Sequence, residues 1–437
     1  MMRRSRRPVW IACLGLLGIS GIAGSVALMW HVTACSTPGS GRPERIILIV
    51  VDTFRVDYVG AHGSPIPTPH IADLAARGQS FENAVSSFHQ TSMSMGSLFS
   101  GLTPSIESGD PERALPWTHR TFCGLARFAS PSDPACVPDA VTTLAEDLAA
   151  ADYWTLGVVA NPLLFRPFGF DQGFEHWLEV GPIPEGKTRN RSRREHAELR
   201  TGEQVNRAAI EALRARSSDR FFFYVHYLDV HDWVLLGRSY KAGVIEFDRH
   251  LGELLAYLEE EKLLEDAHVI LTSDHGELLG ERHPIRDLRS MGMHFGNPSF
   301  EPVLRIPLII APPFFDDTTR VVRSQDLRGL IREIAGIEPA SAPEQVDELY
   351  LGERWFQTYR RGRWKSSWHR NGRDAYLFDL EADPREQLDF SAEYPEVMAE
   401  HRLRIDTLAG ELHTREGSDS RQSEADRERL RALGYIE

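Results

Sequence analysis

The chain has 437 residues, of which 42% are hydrophobic and 26% are charged, a composition that supports a sizeable core and excludes a wholly disordered chain. Its formal net charge is −14. A phosphate backbone would repel this excess of carboxylates, so nucleic acid is excluded as an expected partner. A small anionic substrate is not excluded, because it responds to local charge and to bound metal.

The N-terminal segment has the pattern of an export signal. Residues 1–7 carry four arginines and no acid, and residues 9–30 are almost wholly apolar, as in the basic and apolar regions of a signal peptide. The segment ends in VTAC, which resembles a bacterial lipobox with Cys35 as the lipid-bearing residue. The apolar run is also long enough to span a bilayer, so an uncleaved anchor is the alternative. We therefore expect a protein of the bacterial cell envelope, anchored to a membrane through the flexible tether at 36–43.

Strands alternate with helices from residue 44 to about 344. RIILIVV at 45–51 is a continuous apolar run, typical of a strand buried on both faces of a parallel sheet. Thr68 is the expected N-cap of a following helix that stops at Gly78. The predicted strands are 45–51, 154–160, 221–228, 268–272 and 306–311, and the predicted helices are 68–78, 91–101, 141–151, 195–216 and 242–264. This alternation predicts an α/β domain with a large, mostly parallel sheet sandwiched by helices.

Two further segments are distinguished by their composition. The loop insertion near 106–137 is rich in proline and holds Cys123 and Cys136, which we expect to form a disulfide in an oxidising compartment, with two free thiols as the alternative. From about residue 345 short aromatic-rich strands precede a charged helix. Residues 345–437 are therefore predicted to form a small antiparallel α+β subdomain with a terminal helix.

Polar residues follow the predicted strands where ligands bind in open α/β sheets, at the carboxyl ends. Burying an ionised acid at the end of a strand costs free energy unless the acid is paired or bound to metal. The alternative role for such an acid is to cap a turn or a helix. A carboxylate beside an imidazole suits a divalent cation. The strand-end residues are Asp52, Asn161, Asp229, His231, Asp274 and His275. His226, which lies within a strand, is expected to be buried structure.

A cluster of hydroxyls opens the helix predicted at 91–101. Free amides and the helix dipole at this position favour an anion. The hydroxyl of Thr91 could be deprotonated at a metal and attack phosphorus or sulfur. Plain N-capping is the alternative role, and Ser92 is the alternative nucleophile, one residue out of register.

Several stretches together resemble the sulfatase family of the alkaline phosphatase superfamily. They are VVDTFRVDYVGAHG, TPHIADLAARGQSFENAVSS, TSMSMGSLFSGLTPS, TSDHGELLGERH, GMHFGNPSFEPVLRIPLII and AYLFDLEADPREQLDF, which lie in family order within residues 45–385. The resemblance implies that Asp52, Asp274 and His275 are metal ligands and that Thr91 is the nucleophile and a ligand. The family's second aspartate is Thr53 here, which leaves the metal open among zinc, manganese, calcium and magnesium.

The chain departs from true sulfatases at the nucleophile. Those enzymes use a cysteine or serine that is converted to formylglycine and followed by x-Pro-x-Arg, whereas this chain has TSMSM. Oxidation of a threonine could not give the aldehyde, because its β-carbon carries a methyl group. The chain therefore resembles the threonine-nucleophile branch, which includes phosphodiesterases, phosphonate hydrolases and phospho-group transferases.

The lysines with which family sulfatases hold sulfate are also replaced, by Asn161 and by His294. Asp229 and His231 resemble the family's Asp-x-His turn. By this resemblance His231 or His294 would protonate the leaving group, and Asn161, Asp229 and Ser92 would contact substrate. The alternative is a second metal site made by Asp229, His231 and His294.

The expected function is a metal-dependent hydrolase or transferase of phosphate, phosphonate or sulfate esters that works through a covalent Thr91 intermediate. Its substrate would be a small anionic ester or an envelope glycan or lipid. A sulfuric ester hydrolase is the first alternative. A non-catalytic envelope scaffold or binding protein, which keeps the fold without the chemistry, is the second.

Overall fold

The computed structural model of the protein describes residues 43–105, 114–116, 136–181, 192–281, 283–285, 300–337, 348–352, 356–370, 372 and 374–414. The predicted signal, lipobox and terminal helix lie outside these residues, as do residues 36–42 of the predicted tether, Cys123 and His294. Cys136 is disulfide-bonded. Within the described ranges, no helix combines the length and the apolar character needed to cross a bilayer.

Each predicted strand and helix has a counterpart in the first three quarters of the chain, and further short strands and helices lie between them that were not predicted. The strands are β1 (Arg45–Val51), β2 (Gln79–Ser80), β3 (Asn83–Val85), β4 (Thr103–Ser105), β5 (Ala114–Pro116), β6 (Trp154–Val159), β7 (His176–Glu179), β8 (Phe221–Tyr227), β9 (Ala267–Ser273), β10 (Leu308–Ala311), β11 (Val321–Arg323), β12 (Glu348–Gly352), β13 (Phe356–Arg361), β14 (Trp364–His369) and β15 (Ala375–Asp379). The helices are α1 (Pro69–Ala76), α2 (Thr91–Ser100), α3 (Leu144–Ala149), α4 (Ser192–Glu198), α5 (Gly202–Arg214), α6 (Tyr240–Glu260), α7 (Glu301–Leu304), α8 (Leu327–Ile334) and α9 (Pro395–Thr414).

The central sheet has seven strands in the order β2-β10-β9-β1-β8-β6-β7. β1 pairs in parallel with both β8 and β9, and its last residue, Val51, is level with Tyr227 on one side and Ser273 on the other. The residues that follow these three strands therefore emerge at one edge of the sheet. The pairs of β6 with β7 and β8 are also parallel, whereas β10 runs antiparallel to its neighbour β9. The sheet is therefore mostly parallel, which confirms the predicted fold class.

Both faces of the sheet are covered, which explains the continuous apolar run in β1. Successive side chains of a strand point to opposite faces. Ile47 and Ile49 belong to the core shared with α1, α5 and α6, whereas Ile46 and Leu48 belong to the core shared with α2, α3 and α8. A strand that serves two cores needs an apolar residue at every position.

Some helix boundaries differ from the predicted ones because local hydrogen bonds decide them. α3 begins only at Leu144, since Thr143 and Glu146 form a reciprocal capping box at its N-terminus. Thr68 precedes α1 but does not cap it with its side chain; its hydroxyl accepts a hydrogen bond from the Gly60 amide at 3.0 Å instead.

The helix predicted at 195–216 is divided into α4 and α5. The second part begins at Gly202, where the backbone approaches His250 so closely that an added Cβ would lie 2.2 Å from Nδ1 of that imidazole. Only glycine fits this junction, and it marks the start of α5.

The C-terminal part contains the antiparallel strands β12 to β15 with α9 packed on them, as predicted. The sheet also extends into the first part of the chain, because β12 pairs in parallel with β4, and β4 pairs with β5. The predicted subdomain therefore shares its sheet with strands from the region that precedes it.

A buried charge network joins this sheet to α7. Lys365 on β14 is fully buried, and its Nζ lies 2.7 Å from Glu386 Oε1 and 3.2 Å from Glu301 Oε1. The second carboxylate oxygen of Glu301 lies 3.1 Å from Arg360. A buried pair adds little net stability over apolar residues, but the loss of one partner leaves an uncompensated buried charge.

We expect Lys365→Met to destabilise the protein by about 3–5 kcal/mol, because Glu301 and Glu386 would keep their buried carboxylates with one cation fewer. Urea unfolding of the full chain measures this free energy. Lys241→Met, at an exposed position on α6, is the matched control and should change the free energy of unfolding little. Equal unfolding free energies for the two variants would contradict the proposed role of the network.

Candidate active site

Asp52 is the centre of a buried polar cluster at the carboxyl end of the central sheet. It follows β1 directly and is fully buried. Its Oδ2 accepts a 2.6 Å hydrogen bond from Nδ2 of Asn161, which follows β6. The same oxygen lies 3.4 Å from Oγ1 of Thr91 and 3.4 Å from Nε2 of His226. One carboxylate oxygen therefore faces groups from three other elements.

Thr91 is the first residue of α2 and is 5% exposed. Its hydroxyl oxygen lies 3.4 Å from Asp52 Oδ2, His275 Nε2 and Asn161 Nδ2. The N-cap of α2 is Gln90, whose side chain makes no capping bond. The Thr91 hydroxyl is therefore not a helix cap, and it stands at a helix N-terminus where the dipole favours negative charge.

His275 is oriented by a bond on the far side of its ring. Its Nδ1 lies 2.8 Å from the carbonyl oxygen of Gly276, and because a carbonyl only accepts, Nδ1 carries the proton. In the neutral ring, Nε2 then presents its lone pair to Thr91. Such a backbone bond is the usual device that fixes the tautomer of a metal-binding or proton-accepting histidine.

Asp274 follows β9 and is held by backbone amides. Its Oδ1 accepts hydrogen bonds from the amides of Thr53 at 3.1 Å and His275 at 2.7 Å. Its carbonyl oxygen accepts from the hydroxyls of Ser86 and Ser94. Thr53 has a positive φ of 60°. It stands at the position that resembles the family's second aspartate, and here it donates its backbone amide to the Asp274 carboxylate.

These residues fit a divalent cation. Asp52 Oδ1 and Asp274 Oδ2 are buried and have no hydrogen-bond partner within the described part of the chain. Asp52, His226 and Asp274 each offer one ligand atom, and these atoms lie within 4.8 Å of one another. Carboxylate oxygens and imidazole nitrogens are common ligands of divalent metals.

Electrostatics explains why the two carboxylates need a cation between them. Burial and the neighbouring Asp52 carboxylate raise the pKa of Asp274 well above its usual range. Burial also opposes ionisation of Asp52, but the imidazoles of His231, His226 and His275 together lower the pKa of Asp52. Without a metal the pair therefore prefers to hold a proton, and a divalent cation would replace it.

His231 stands beside this cluster at the start of a short 3-10 helix. Its side chain is 28% exposed, and its Nδ1 lies 2.9 Å from Asp232, which a bidentate bond to Arg200 holds in place. Burial lowers the pKa of His231, but the carboxylates of Asp52 and Asp232 outweigh it and raise the pKa to about 9. While no metal is bound at Asp52, His231 is therefore a cation at neutral pH, with a proton to donate.

Not every predicted site residue joins the cluster. The Asp229 carboxylate turns towards the N-terminus of α5, where its Oδ1 accepts a 3.1 Å bond from the Gly202 amide and lies 2.9 Å from His250 Nδ1. Those groups, rather than Thr91, are its partners among the described residues, because the free amide at a helix start attracts the carboxylate. Ser92 is buried, and its hydroxyl has no partner in the described part of the chain. His294 lies outside that part.

Two residues of the cluster were not assigned to it from sequence. His226 is fully buried, as expected, but it also contacts Asp52, and its Nδ1 lies 2.8 Å from the Tyr224 hydroxyl. The available signal was a polar residue in an otherwise apolar strand. Glu277, in the SDHGE run, is fully buried; burial raises its pKa to about 8, although His231 and His275 oppose this.

Known proteins resemble this chain. The Sulfatase family model matches residues 44–314, more than half of the chain. The match to choline-sulfatase of Rhizobium meliloti (strain 1021) is 28% identical over 172 residues and covers 34% of this chain and 32% of that protein. The match to arylsulfatase K of Bos taurus is 30% identical over 190 residues and covers 36% and 34%.

A solved structure shares the fold. Phosphonate monoester hydrolase of Agrobacterium radiobacter aligns with a TM-score of 0.58 at 16% identity, over 84% of this chain and 96% of that one. The matches to the two curated relatives span about a third of their length. The comparisons therefore establish the family of residues 44–314 and their fold.

In chelator-treated protein, we expect NMR titration to place the pKa of His231 near 9 and Asp232→Asn to lower it. Since the folded-state pKa exceeds the ordinary value of about 6.5, protonated His231 stabilises the fold at pH values below about 6.5, and this stabilisation is lost as the pH rises through 9. The difference in unfolding free energy between wild type and His231→Gln should therefore shrink over that interval. A His231 pKa near 6.5 in both proteins would contradict the described electrostatics.

Proposed function

The chain belongs to the sulfatase family, and from this membership we propose that it is a metal-dependent hydrolase or transferase of phosphate, phosphonate or sulfate esters, with Thr91 as its nucleophile. The observation that carries the proposal is the position of the Thr91 hydroxyl, 3.4 Å from both Asp52 Oδ2 and His275 Nε2. A hydroxyl between a carboxylate and an unprotonated imidazole nitrogen can lose its proton as it attacks.

The first step is attack by Thr91 Oγ1 on phosphorus or sulfur, and the hydroxyl proton passes to Asp52 Oδ2, 3.4 Å away. A divalent cation held by Asp52, Asp274, His275 and Thr91, with His226 as a further candidate ligand, would lower the pKa of the attacking hydroxyl and polarise a non-bridging oxygen of the ester. The bond from the ester oxygen to phosphorus or sulfur breaks, and His231 donates its proton to that oxygen. His294 is the alternative proton donor.

The second step releases Thr91. Water, or an acceptor alcohol in a transferase, attacks the threonine ester and gives its proton to His231, which the first step left neutral. The Thr91 oxygen leaves and takes its proton back from Asp52 Oδ2. The amides at the start of α2 stabilise negative charge on the transferred group in both steps. Asn161 would hold the Asp52 carboxylate in position and offer its amide edge to substrate.

The choice between phosphorus and sulfur depends on two opposing observations. Thr91 cannot be oxidised to the aldehyde that true sulfatases use, and Asn161 stands in place of a sulfate-binding lysine, which together favour a phosphorus ester. The names of the curated relatives, choline-sulfatase and arylsulfatase K, favour a sulfate ester. We rank the phosphorus ester first and sulfate ester hydrolysis second.

The proposal includes a cellular location. The basic and apolar segments of residues 1–30 and the VTAC run that ends at Cys35 support export and anchoring at the bacterial envelope, and the substrate is then a small anionic ester or an envelope glycan or lipid. A non-catalytic scaffold is the alternative. It would have no reason to keep two buried carboxylates facing a hydroxyl at a helix start, which favours the enzyme.

We expect Thr91→Ala to lower the rate of ester hydrolysis by about a thousandfold or more, because loss of the nucleophile removes the covalent step. Thr91→Ser, which keeps the hydroxyl, is the matched control and should retain most of the rate. Full activity in purified Thr91→Ala protein would contradict the assigned role.

The same assay compares 4-nitrophenyl sulfate, phosphate, phosphonate and bis-4-nitrophenyl phosphate for the wild-type protein. The proposed order requires a phosphorus ester to be the fastest substrate. A sulfate ester that is hydrolysed much faster than every phosphorus ester would reverse the order of the two candidate functions. No turnover of any ester by protein that binds no divalent metal would favour the scaffold.

We also expect one tightly bound divalent cation per chain, lost in Asp52→Asn and in Asp274→Asn together with activity. Each substitution removes a negative ligand from a buried site, where the remaining donors hold a dication less strongly. Elemental analysis of the purified proteins measures the metal. Asp73→Asn, on the exposed face of α1, is the matched control and should keep both metal and activity. Unchanged metal content in both site variants would show that the cluster is not the metal site.

A further inference from the structure

We propose that a second anion-binding site, separate from Thr91, lies in an arginine-lined cavity and takes a tetrahedral oxyanion group, sulfate or phosphate. The cavity has a volume of about 550 Å³ and lies between the β3–β11 region and the C-terminal sheet. None of Asp52, Thr91, Asp274 and His275 lines it. The proposal therefore does not depend on the proposed function.

The cavity has a charge opposite to that of the chain. Its lining contains five arginines and three acidic residues, in a protein whose formal net charge is −14. A concentration of one sign of charge against the sign of the whole protein raises the local concentration of counter-ions and ligands of the opposite charge. The arginines are Arg305, Arg320, Arg323, Arg360 and Arg363, and the acids are Glu301, Asp326 and Glu381.

The three acids are already paired, which leaves two guanidinium groups over. The pairs are Arg323 with Asp326 at 2.8 Å, Arg360 with Glu301 at 3.1 Å and Arg363 with Glu381 at 3.3 Å. Neither Arg305 nor Arg320 forms a close ion pair with a described residue; their charges act over a longer range, that of Arg305 on Glu301 and that of Arg320 on Asp317. Both line the same cavity, so the excess of positive charge in its lining comes from these two side chains.

Arg320 has two nitrogens that the described part of the chain leaves unsatisfied. Its Nε and Nη2 are buried without a hydrogen-bond partner within the described residues, and its guanidinium lies 5.0 Å from the centre of the Phe315 ring, which supports it by a cation–π contact. Nε and Nη2 form the edge with which arginine binds two oxygens of one anion. Arg200 uses these two nitrogens on Asp232, at 2.8 and 2.9 Å.

Arg305 is held in place by hydrogen bonds to backbone carbonyl oxygens. It caps α7, where its amide donates to Glu301 O at 2.8 Å, and one of its side-chain nitrogens donates to Glu82 O at 3.1 Å. Buried donors without partners cost free energy, so a rotation of the Arg320 side chain that turns Nε and Nη2 towards an oxyanion in the cavity would be favoured. The cavity is also larger than an inorganic ion requires and is within the size range of small-molecule sites. It therefore has room for a sugar or similar group that bears the sulfate or phosphate.

Isothermal titration of the metal-depleted full chain tests the site, with sodium sulfate and sodium phosphate each titrated at constant ionic strength against sodium chloride. We expect saturable binding in the wild type and in Asp52→Asn, since the cavity does not include the active site. Arg320→Gln should weaken binding about tenfold or more, because it removes a charge-assisted bidentate contact. Arg305→Gln is the second variant, and Arg207→Gln, an exposed arginine of α5, is the matched control.

Absence of saturable binding of either ion to the wild type would overturn the proposal, as would affinities in Arg320→Gln and Arg305→Gln equal to that of Arg207→Gln. Loss of binding in Asp52→Asn alone would assign the ion to the active site and would overturn it as well. Titration with glucosamine 6-sulfate identifies the source of the oxyanion. Tighter binding than inorganic sulfate indicates a sulfated sugar, and equal or weaker binding indicates the free ion, with Arg320→Gln losing either one.

Discussion

Two buried carboxylates at the ends of adjacent parallel strands are the constraint on which the rest of the structure depends. Asp52 and Asp274 follow β1 and β9, whose last residues are level, so their side chains must meet away from water. Like charges so placed cannot both stay ionised in a medium of low dielectric constant without a cation. That negative charge is stabilised by the surrounding histidines, by the backbone amides of Thr53 and His275 and by the side-chain amide of Asn161.

The same constraint connects the fold to the proposed chemistry. Because α2 begins beside the two carboxylates, its first residue, Thr91, lies at a place that is already suited to a cation on one side and to an anionic ester on the other. Thr53 contributes a backbone amide where the family resemblance expects an acid, which lowers the negative charge of the site. His231, held by Asp232 and Arg200, adds a positive charge where a leaving oxygen would develop a negative one.

The C-terminal sheet is attached by charge as well as by apolar packing. Lys365 connects it to α7 through Glu301 and Glu386, and α7 precedes β10, an antiparallel strand of the central sheet. The arginine-lined cavity lies along this same junction. Arginines at the junction are paired where acids are available, and the two that are not, Arg305 and Arg320, concentrate positive charge in one place.

The sequence by itself determined the parts that depend on local pattern. The apolar run of β1, the order of strands and helices and the positions of Asp52, Thr91, Asp274 and His275 at element ends all follow from residues near one another in the chain. Only the tertiary structure decided which partners those side chains take. Asp229 bonds to the start of α5, the predicted helix at 195–216 breaks where Gly202 meets His250, and His226, expected to be plain core, contacts Asp52. Each outcome depends on elements distant in sequence, whose packing and free hydrogen-bonding groups no local pattern encodes.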